Sequence, residues 1–349
     1  MSKQVIGIVD RPGSFSDRWI SYCEATSLDF VRVDPYSNNV IQQLSQLSAF
    51  VWHIPHFSPR DELIARHILY SCQMMGVATF PSLDTFWSFD DKVAQKYILE
   101  ASGCQLVPTY VFVDQEAALA WAESATFPKV FKLKCGAGSR NVSLVKTKSD
   151  ALAKIRKAFS TGFSASAGNV SDAAGKIRSG KIGATEVFAK LKRLPRTLAN
   201  LRQINRLQPR QIGYVYFQEF IPNNTHDTRV TVIGDRAIAF RRAVRKNDFR
   251  ASGSGSIDYD QSEIDHDCIS QSFQLAQALK SQSLCIDFVT GKNGKPLVVE
   301  ISYVYMPKCI HQAGGYWTTD MQYHETPVWP QEAILDDLIS SLLPPDKTG

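Results

Sequence analysis

The sequence predicts an α/β protein whose C-terminal part is α+β, and two observations lead to this fold class. Residues 1–85 alternate apolar, β-rich runs with segments able to form helices. This βαβαβαβ order is typical of a small parallel sheet with helices on its faces. Further along, apolar runs follow one another in pairs across glycine-containing turns, as they do in antiparallel hairpins.

Length and composition narrow the class of protein. The 349 residues are enough for two or three domains, and a hydrophobic content of 44% is ordinary for a globular chain. No apolar run reaches membrane-spanning length, and the opening MSKQVIGIVD has too short an apolar segment for a signal peptide, so no membrane partner is expected. Seven scattered cysteines indicate reduced thiols and a cytoplasmic protein. The net charge of +5 does not by itself indicate nucleic-acid binding.

The N-terminal part places three polar side chains where ligands commonly bind. Parallel sheets bind ligands at the carboxyl ends of their strands, and the loops there contain Arg11, His53 and His56. These residues could contact an acidic substrate, or they are ordinary loop residues; the two histidines lack a metal-binding spacing. The predicted strands are 5–9, 28–33, 49–54 and 77–80, and the predicted helices are 16–25, 38–47 and 58–75.

The next part contains a glycine-rich hairpin. In the stretch FPKVFKLKCGAGSRNVSLVKT, residues 127–147, two β-rich runs flank the loop CGAGSR. No helix follows the glycines, which excludes a Walker A loop and a dinucleotide-binding turn. The backbone N–H groups of such a hairpin, together with Lys132, can close over phosphates. The predicted elements are a helix at 92–102, a strand at 109–113, a helix at 114–121 and strands at 129–134 and 141–146.

Residues 160–211 form a basic insertion, with ten lysines and arginines against Asp172 and Glu186. The insertion could bind nucleic acid, but it contains few aromatic residues for stacking and no recognised module. We favour a cover that attracts an anionic substrate electrostatically, with a solvated insertion as the alternative. Part of it, around residues 184–206, could be helical.

The following residues accumulate arginines near predicted strands. Asp227 and Arg229 alternate on one face of a strand, and Arg242 and Arg250 follow before the small-residue run ASGSGS. Arginines so placed would suit the stabilisation of a transferred phosphoryl group, although some of them must be surface cations. The predicted elements are strands at 214–217, 229–233 and 237–242 and a helix at 262–280.

The stretch 283–307 predicts a hairpin that carries two carboxylates. If Asn293 and Gly294 form a two-residue turn, Asp287 lies directly opposite Glu300, and Ser302 lies on the same face. Opposed carboxylates repel each other, and a cation such as Mg²⁺ held between them would compensate. The alternatives are two solvated acids on a surface hairpin, or a register one residue away.

Taken together, these parts resemble the ATP-grasp superfamily, most nearly the carboxylate–amine ligases similar to RimK-type glutamate ligases and glutathione synthetase. The resemblance implies an ATP-grasp fold, with an N-terminal parallel α/β domain at 1–85, a central subdomain at 86–159 and a C-terminal subdomain at 212–345. The two subdomains would clasp ATP, with the insertion at 160–211 between them. The motifs are DK at 91–92, the glycine hairpin at 127–145, QEFI at 218–221, DTRV at 227–230, FRR at 240–242, DFRASGSG at 248–255 and the Asp287/Glu300 hairpin.

Residue roles follow from the resemblance by position. Glu219, Phe220 and Ile221 match the hinge whose backbone binds adenine, and Asp227 lies roughly where an acid meets the ribose. The phosphates of ATP would be held by residues matching Lys92, Lys132, Gly136, Gly138 and Ser139.

The resemblance also implies the catalytic and metal residues. Arg242 and Arg250 match arginines near the transferred phosphate, and Asp287 and Glu300 match ligands of Mg²⁺, which Mn²⁺ could replace. Ser302 stands where the family usually has asparagine, which puts the number of bound metal ions in doubt. Contacts to the substrate are assigned from loop and strand position to Arg11, His53 and Arg229.

The activity that the resemblance implies is ATP-dependent ligation of a carboxylate to an amine through an acyl phosphate, with release of ADP and phosphate. The segment HQAGGYW at 311–317 resembles ATP-grasp proteins of surface polysaccharide synthesis, so the acid could be a uronic-acid sugar; a small peptide product is the alternative. Two other classes stay open: a catalytically weak nucleotide-binding scaffold or regulator, and a nucleic-acid binder that uses the insertion. The oligomeric state is open, and a homodimer is compatible with the sequence.

Overall fold

Three sheets organise the chain, one in each of three successive parts. The computed structural model describes residues 4–343 apart from Phe57, 137–140, 165–209, 246–247, Ser252 and Ser254. The predicted helix around 184–206 and most of the basic insertion therefore lie outside the described residues.

The N-terminal sheet is entirely parallel, in the order β2-β1-β3-β4, which confirms the predicted class of this part. Helix α1 begins where the Ser14 hydroxyl accepts the N–H of Ser16, and it ends at Ser27 in the left-handed region. The strands are β1 Ile6–Ile8, β2 Phe30–Arg32, β3 Ala49–Val51 and β4 Ala78–Phe80, and the helices are α1 Phe15–Thr26, α2 Val40–Leu44, α3 Pro59–Met75 and α4 Leu83–Phe86.

The central sheet is antiparallel, in the order β5-β8-β6-β7. Its strand β8 lies beyond the insertion in the sequence and pairs with β5 and β6, although the predicted boundary at residue 212 assigns it to the C-terminal part. The elements are α5 Lys92–Ala101, β5 Thr109–Phe112, α6 Gln115–Ser124, β6 Lys129–Lys132, β7 Val142–Val145, α7 Lys148–Ala158 and β8 Val215–Glu219.

The C-terminal sheet is larger and has the order β13-β12-β9-β10-β14-β15, with β11 paired to β10. The helix predicted at 262–280 is divided, because Asp260 caps a short 3-10 turn (Gln261–Glu263) and Asp265 caps a separate helix. The elements are β9 His226–Ile233, β10 Arg236–Ala243, β11 Ile257–Asp258, α8 His266–Ala278, β12 Ser283–Thr290, β13 Pro296–Ser302, α9 Pro307–Gln312, β14 Tyr316–Trp317, β15 Tyr323–His324 and α10 Pro330–Ser340.

The N-terminal unit shares one hydrophobic core with the C-terminal part. Helix α10 packs on α1, where the indole N–H of Trp19 donates to the backbone oxygen of Gln331 at 3.0 Å. The same core includes Trp52 and Leu335, both fully buried, and Phe240 on the C-terminal sheet. The central sheet has a separate core between its strands and helices α6 and α7.

The length and apolar character that a bilayer-crossing helix needs are not combined in any helix of the described part of the chain.

The shared core predicts a large effect of truncating α10. Leu335→Ala should lower the free energy of unfolding by about 2–5 kcal/mol, because it removes a buried side chain and leaves a cavity. Leu343→Ala, at an exposed position nearby, should change it by less than about 0.5 kcal/mol. Urea denaturation followed by tryptophan fluorescence measures both values, and equal losses would contradict the shared core.

Candidate active site between the central and C-terminal sheets

One face of the C-terminal sheet changes from apolar to charged along its strands. Alternate residues of a strand share a face, and residues paired across strands lie on the same side. Ile238 and Phe240 of β10 lie on this face in the shared core. Further along the same face, Arg229 of β9 lies opposite Asp287 of β12. The opposite face packs its apolar side chains against α8.

The β12–β13 hairpin does not have the predicted two-residue turn. The N–H of Gly291 donates to the oxygen of Lys295 at 2.8 Å, so the loop contains three residues, 292–294. Gly294 ends the loop at φ +77°, a conformation that glycine adopts without strain. The two-residue turn at Asn293 and Gly294 is therefore wrong, and the strands leave the loop one residue out of the predicted register.

A β-bulge then restores the predicted pairing of the two carboxylates. Val298 lies opposite Phe288, whereas Asp287 lies opposite Glu300, so Val299 is the extra residue of β13. The one-residue shift in register from the three-residue loop and the one-residue shift from the bulge cancel each other. Asp287 and Glu300 consequently face each other as predicted, but through a different local geometry.

Two arginines bind Asp287. Arg229 donates to both of its carboxylate oxygens, from Nε at 2.7 Å and Nη2 at 2.8 Å, and Arg242 donates from Nη2 at 2.8 Å. Arg242 also holds Asp227 through two hydrogen bonds, of 2.8 and 2.6 Å. Arg229, Arg242 and Asp227, three residues with predicted roles in the site, therefore form one ion network with Asp287.

The two acids of this network differ in their ionisation. Burial alone would raise the pKa of Asp287, but the guanidinium groups of Arg229 and Arg242 hold that pKa well below its usual value. Asp227 has a raised pKa because burial and the negative charge of Asp287 together outweigh the effect of its arginine neighbours. Asp287 is therefore the firmly ionised member of the pair.

Two buried lysines approach the other carboxylate of the hairpin. The Nζ atoms of Lys92 and Lys132 each lie 3.9 Å from Glu300, too far for a hydrogen bond. Lys92 donates instead to the backbone oxygen of Gly136 at 2.7 Å. Lys132 is only 4% exposed, and this burial lowers its pKa to about 8 although Glu300 opposes the shift. Three charged groups thus converge at the start of the glycine hairpin.

A cavity of about 310 Å³ lies between the central and C-terminal sheets. Both apolar and charged side chains line it, and the predicted hinge residues Glu219, Phe220 and Ile221 are among them. The apolar lining includes Val107, Val130, Val142, Phe220, Ile221 and Phe249, and the charged lining includes Lys132, Glu219, Asp227, Asp248, Arg250, Asp287 and Glu300.

The side chain of Glu219 is held by the central sheet. Its carboxylate accepts hydrogen bonds from Lys129 Nζ at 2.7 Å and from the hydroxyl of Tyr110 at 3.0 Å. The predicted role of Glu219 concerns its backbone, so these contacts are compatible with that prediction.

The predicted catalytic Arg250 lines the cavity and binds Asp248. Its Nε lies 2.9 Å and its Nη2 lies 2.8 Å from Asp248 Oδ2. The adjacent Phe249 contacts Phe220 edge to face, with ring centroids 5.8 Å apart. Phe249 therefore connects Arg250 to the predicted hinge residue Phe220.

Ser302 is bound within the turn that ends β13. Its hydroxyl donates to the oxygen of Val304 at 3.1 Å and accepts the N–H of Val304 at 3.0 Å. One lone pair of the hydroxyl stays available, so a metal-ligand role for Ser302 stays a prediction.

Arg11 and His53 lie at the carboxyl ends of the N-terminal strands, as predicted. Arg11 forms an ion pair with the buried Asp61 at 2.7 Å. The ring of His53 stacks on Phe15 with centroids 4.2 Å apart, and burial lowers its pKa to about 4, so the imidazole is neutral at physiological pH. Neither residue is part of the described lining of the cavity.

Sequence reasoning missed Asp90, which joins the N-terminal edge to the glycine hairpin. Its Oδ1 accepts the N–H of Gly136 at 2.8 Å and lies 3.2 Å from Nδ1 of His56. Burial would raise the pKa of Asp90, but His56, Lys92 and the Gly136 N–H together hold it below its usual value. In the sequence, the two acids directly before Lys92, Asp90 and Asp91, were the available signal for the contact between Asp90 and Gly136. The predicted phosphate contacts Gly138 and Ser139 lie outside the described residues.

Comparison with solved structures defines the class: the chain has the ATP-grasp fold. No protein-family model matches the chain, and no curated protein sequence matches it. The ATP-grasp RimK domain protein from Sphaerobacter thermophilus DSM 20745 is similar over 96% of this chain and 99% of its own, with a TM-score of 0.54 and 14% identity.

Two further structures extend over almost the whole chain. D-cycloserine synthetase DcsG has a TM-score of 0.58 and 14% identity, covering 97% of this chain and 100% of its own. The ATP-grasp ligase PsnB, complexed with minimal precursor, Mg and ADP, has a TM-score of 0.54 and 14% identity, covering 98% and 99%. At these identities the comparisons establish the fold, and the predicted fold class is confirmed.

The ion network predicts that Arg229 is needed for folding stability. Arg229→Met should lower the free energy of unfolding by about 3 kcal/mol, because it leaves the buried Asp287 with one arginine instead of two. The matched control is Arg241→Met on the neighbouring strand, which breaks ion pairs to Asp258 and Glu263 at the surface and should cost about 0–1 kcal/mol. Urea denaturation compares the two variants, and equal losses would contradict the network.

The lowered pKa of Lys132 predicts a pH dependence of anion binding. Only the protonated amine attracts phosphate, and a pKa of about 8 means that this charge is lost as the pH rises through 8. The affinity for ADP should therefore fall between about pH 7 and pH 9.5 in the wild type. It should stay nearly constant in Lys132→Arg, because arginine remains charged. Calorimetry at several pH values measures this, and parallel profiles would refute the role of Lys132.

Proposed function

We propose that this protein is an ATP-dependent ligase that joins a carboxylate to an amine and releases ADP and phosphate. The observation that carries the proposal is a cavity lined both by apolar side chains and by a charged set that includes Lys132, Asp287 and Glu300. A nucleoside triphosphate needs both kinds of contact, since its base is flat and largely apolar and its phosphates are anionic. The ATP-grasp fold and the ligases that share it give further support.

The adenine of ATP would lie against the apolar lining of the cavity. Phe220 and Ile221 follow directly after β8 and line the cavity, where their backbone groups would contact the edge of the base. The phosphates would then point toward Lys92 and Lys132, whose burial strengthens their attraction to an anion. Asp227 would lie nearer the ribose, although its hydrogen bonds to Arg242 make it equally a part of the ion network.

The carboxylates of the hairpin fit a divalent cation bound with the phosphates. Glu300 has no hydrogen bond from either neighbouring lysine, and among the described residues Arg229 is the one donor to Oδ1 of Asp287. The carboxylate of Glu300 and Oδ1 of Asp287 can therefore bind Mg²⁺, which prefers oxygen ligands. Mn²⁺ could replace Mg²⁺ there. When bound, the ion would neutralise charge on the phosphates.

The reaction would proceed in two steps, a phosphoryl transfer and the formation of the amide. An oxygen of the acid attacks the terminal phosphorus of ATP, the bond to ADP breaks, and the acid becomes an acyl phosphate. The nitrogen of the amine then attacks the acyl carbon, phosphate leaves with the bonding electrons, and the nitrogen loses a proton. Lys92, Lys132 and Arg250 would stabilise the negative charge of these steps.

The acid and the amine would approach from the N-terminal edge of the cavity. Arg11 and His53 lie at the carboxyl ends of the N-terminal strands, outside the described lining of the cavity, and Asp90 with His56 connects that part of the chain to Gly136. We propose a small-molecule or sugar carboxylate, with an amino acid or peptide amine as the second substrate. A precursor peptide is bound by PsnB, whereas DcsG is a D-cycloserine synthetase, so proteins of this fold differ in their substrates.

A catalytically weak nucleotide-binding protein is the second candidate. Two observations favour it: the hydroxyl of Ser302 is bound to Val304, and Asp287 already carries two arginines. Both reduce the capacity of the site for a second metal ion. Nucleotide binding without turnover over a broad panel of acids and amines would support this candidate.

Glu300→Gln tests the proposed reaction. The amide keeps the size of the side chain but loses the charge that holds Mg²⁺, so ADP formation should fall by at least about 100-fold. The control is Glu116→Gln in the first turn of α6, which should leave ADP formation unchanged. A panel of uronic acids, small carboxylic acids and amino acids, followed by separation of ADP from AMP, provides the measurement. Release of AMP, or undiminished turnover in Glu300→Gln, would refute the proposal.

A further inference from the structure

We propose that Gln218 is a positioning residue that holds the β13 bulge and thereby sets Glu300 opposite Asp287. The inference rests on the proposed function, because the consequence concerns the two carboxylates proposed to bind Mg²⁺.

Without the bulge, the register leaving the loop would continue through β13. Val298 lies opposite Phe288, so an uninterrupted ladder would place Val299 opposite Asp287 and Glu300 opposite Ile286. Ile286 is fully buried on the other face of the sheet, in the core against α8. A slip of one residue therefore moves Glu300 to the apolar side of the sheet. The site needs the bulge to have both carboxylates on one face.

Gln218 binds the extra residue of the bulge directly. Its side-chain amide Nε2 donates to the backbone oxygen of Val299 at 3.2 Å and to the hydroxyl of Thr109 at 3.1 Å. The side chain is only 2% exposed, so no competing water shell surrounds these hydrogen bonds. Gln218 belongs to β8 of the central sheet, 81 residues away from Val299 in sequence.

Val298 and Ile301, which flank the bulge, also form hydrogen bonds with residues of the central part of the chain. The N–H of Val298 donates to the oxygen of Gln105 at 2.7 Å, and its oxygen accepts the N–H of Val107 at 3.0 Å. On the far side, the N–H of Ile301 approaches Oε1 of Gln95 at 3.4 Å. Backbone contacts thus fix Val298, and the side chain of Gln218 adds a hydrogen bond to the backbone oxygen of the bulge residue itself.

The hydrogen bond between Gln218 and Val299 links the strand that precedes the proposed adenine-binding residues to the strand that carries Glu300. Gln218 directly precedes Glu219, Phe220 and Ile221, which are proposed to bind adenine, and Val299 directly precedes Glu300. A hydrogen bond between them fixes the distance from the base to the metal carboxylates. Residues that orient a metal ligand without touching the metal commonly change its affinity 10- to 100-fold when they are replaced.

Gln218→Met tests the inference, because methionine has a similar volume but no amide donor. The matched control is Gln261→Met, since the amide of Gln261 also donates to two backbone oxygens, those of Ala239 and Tyr259, away from the hairpin. In Gln218→Met, hydrogen–deuterium exchange should accelerate in the peptide that covers residues 296–302. Exchange of this peptide should be unchanged in Gln261→Met.

A second measurement concerns the metal. The apparent dissociation constant for Mg²⁺ in the presence of ADP, measured by calorimetry, should rise at least about tenfold in Gln218→Met and stay unchanged in Gln261→Met. Unchanged exchange in residues 296–302 of Gln218→Met overturns the inference. ADP binding that does not depend on Mg²⁺ in the wild type overturns the proposed function instead, and the exchange experiment still decides whether Gln218 holds the bulge.

Discussion

The charged face of the C-terminal sheet depends on the neutralisation of Asp287. A carboxylate buried to this extent is costly unless it is paired and hydrogen-bonded. Arg229 and Arg242 provide three hydrogen bonds, and Asp227 balances the second arginine. Because these charges cancel, the same sheet can be apolar at one end, where it meets the N-terminal unit, and ionic at the other, where it lines the cavity. The arrangement of Glu300 and the two lysines is built on this neutral base.

The extent to which the sequence predicted this site differs from residue to residue. Alternation along a strand was sufficient to place Asp227 and Arg229 on one face, because side-chain direction in a strand has a period of two. The pairing of Asp287 with Glu300 was predicted correctly through an incorrect turn, since the three-residue loop and the bulge at Val299 compensate for each other. Local sequence carries no signal for that bulge.

Contacts between distant segments account for most of what the sequence did not predict. The ion pairs of Arg242 and the contact of Gln218 with Val299 depend on how separate strands meet in space. The same holds for the core that α10 shares with α1, because an amphipathic helix does not identify the surface it covers. The parallel N-terminal sheet was predictable because alternation of strands and helices restricts the topology to few choices.

The division of the hydrophobic cores has a consequence for the cavity. The N-terminal unit, α10 and one face of the C-terminal sheet share one core. The central sheet packs around its own core and contacts the C-terminal part at several points, among them residues 105–107 and Gln218. The two walls of the cavity therefore belong to parts with different hydrophobic cores, and the β13 bulge beside Glu300 is one of the places where these parts meet.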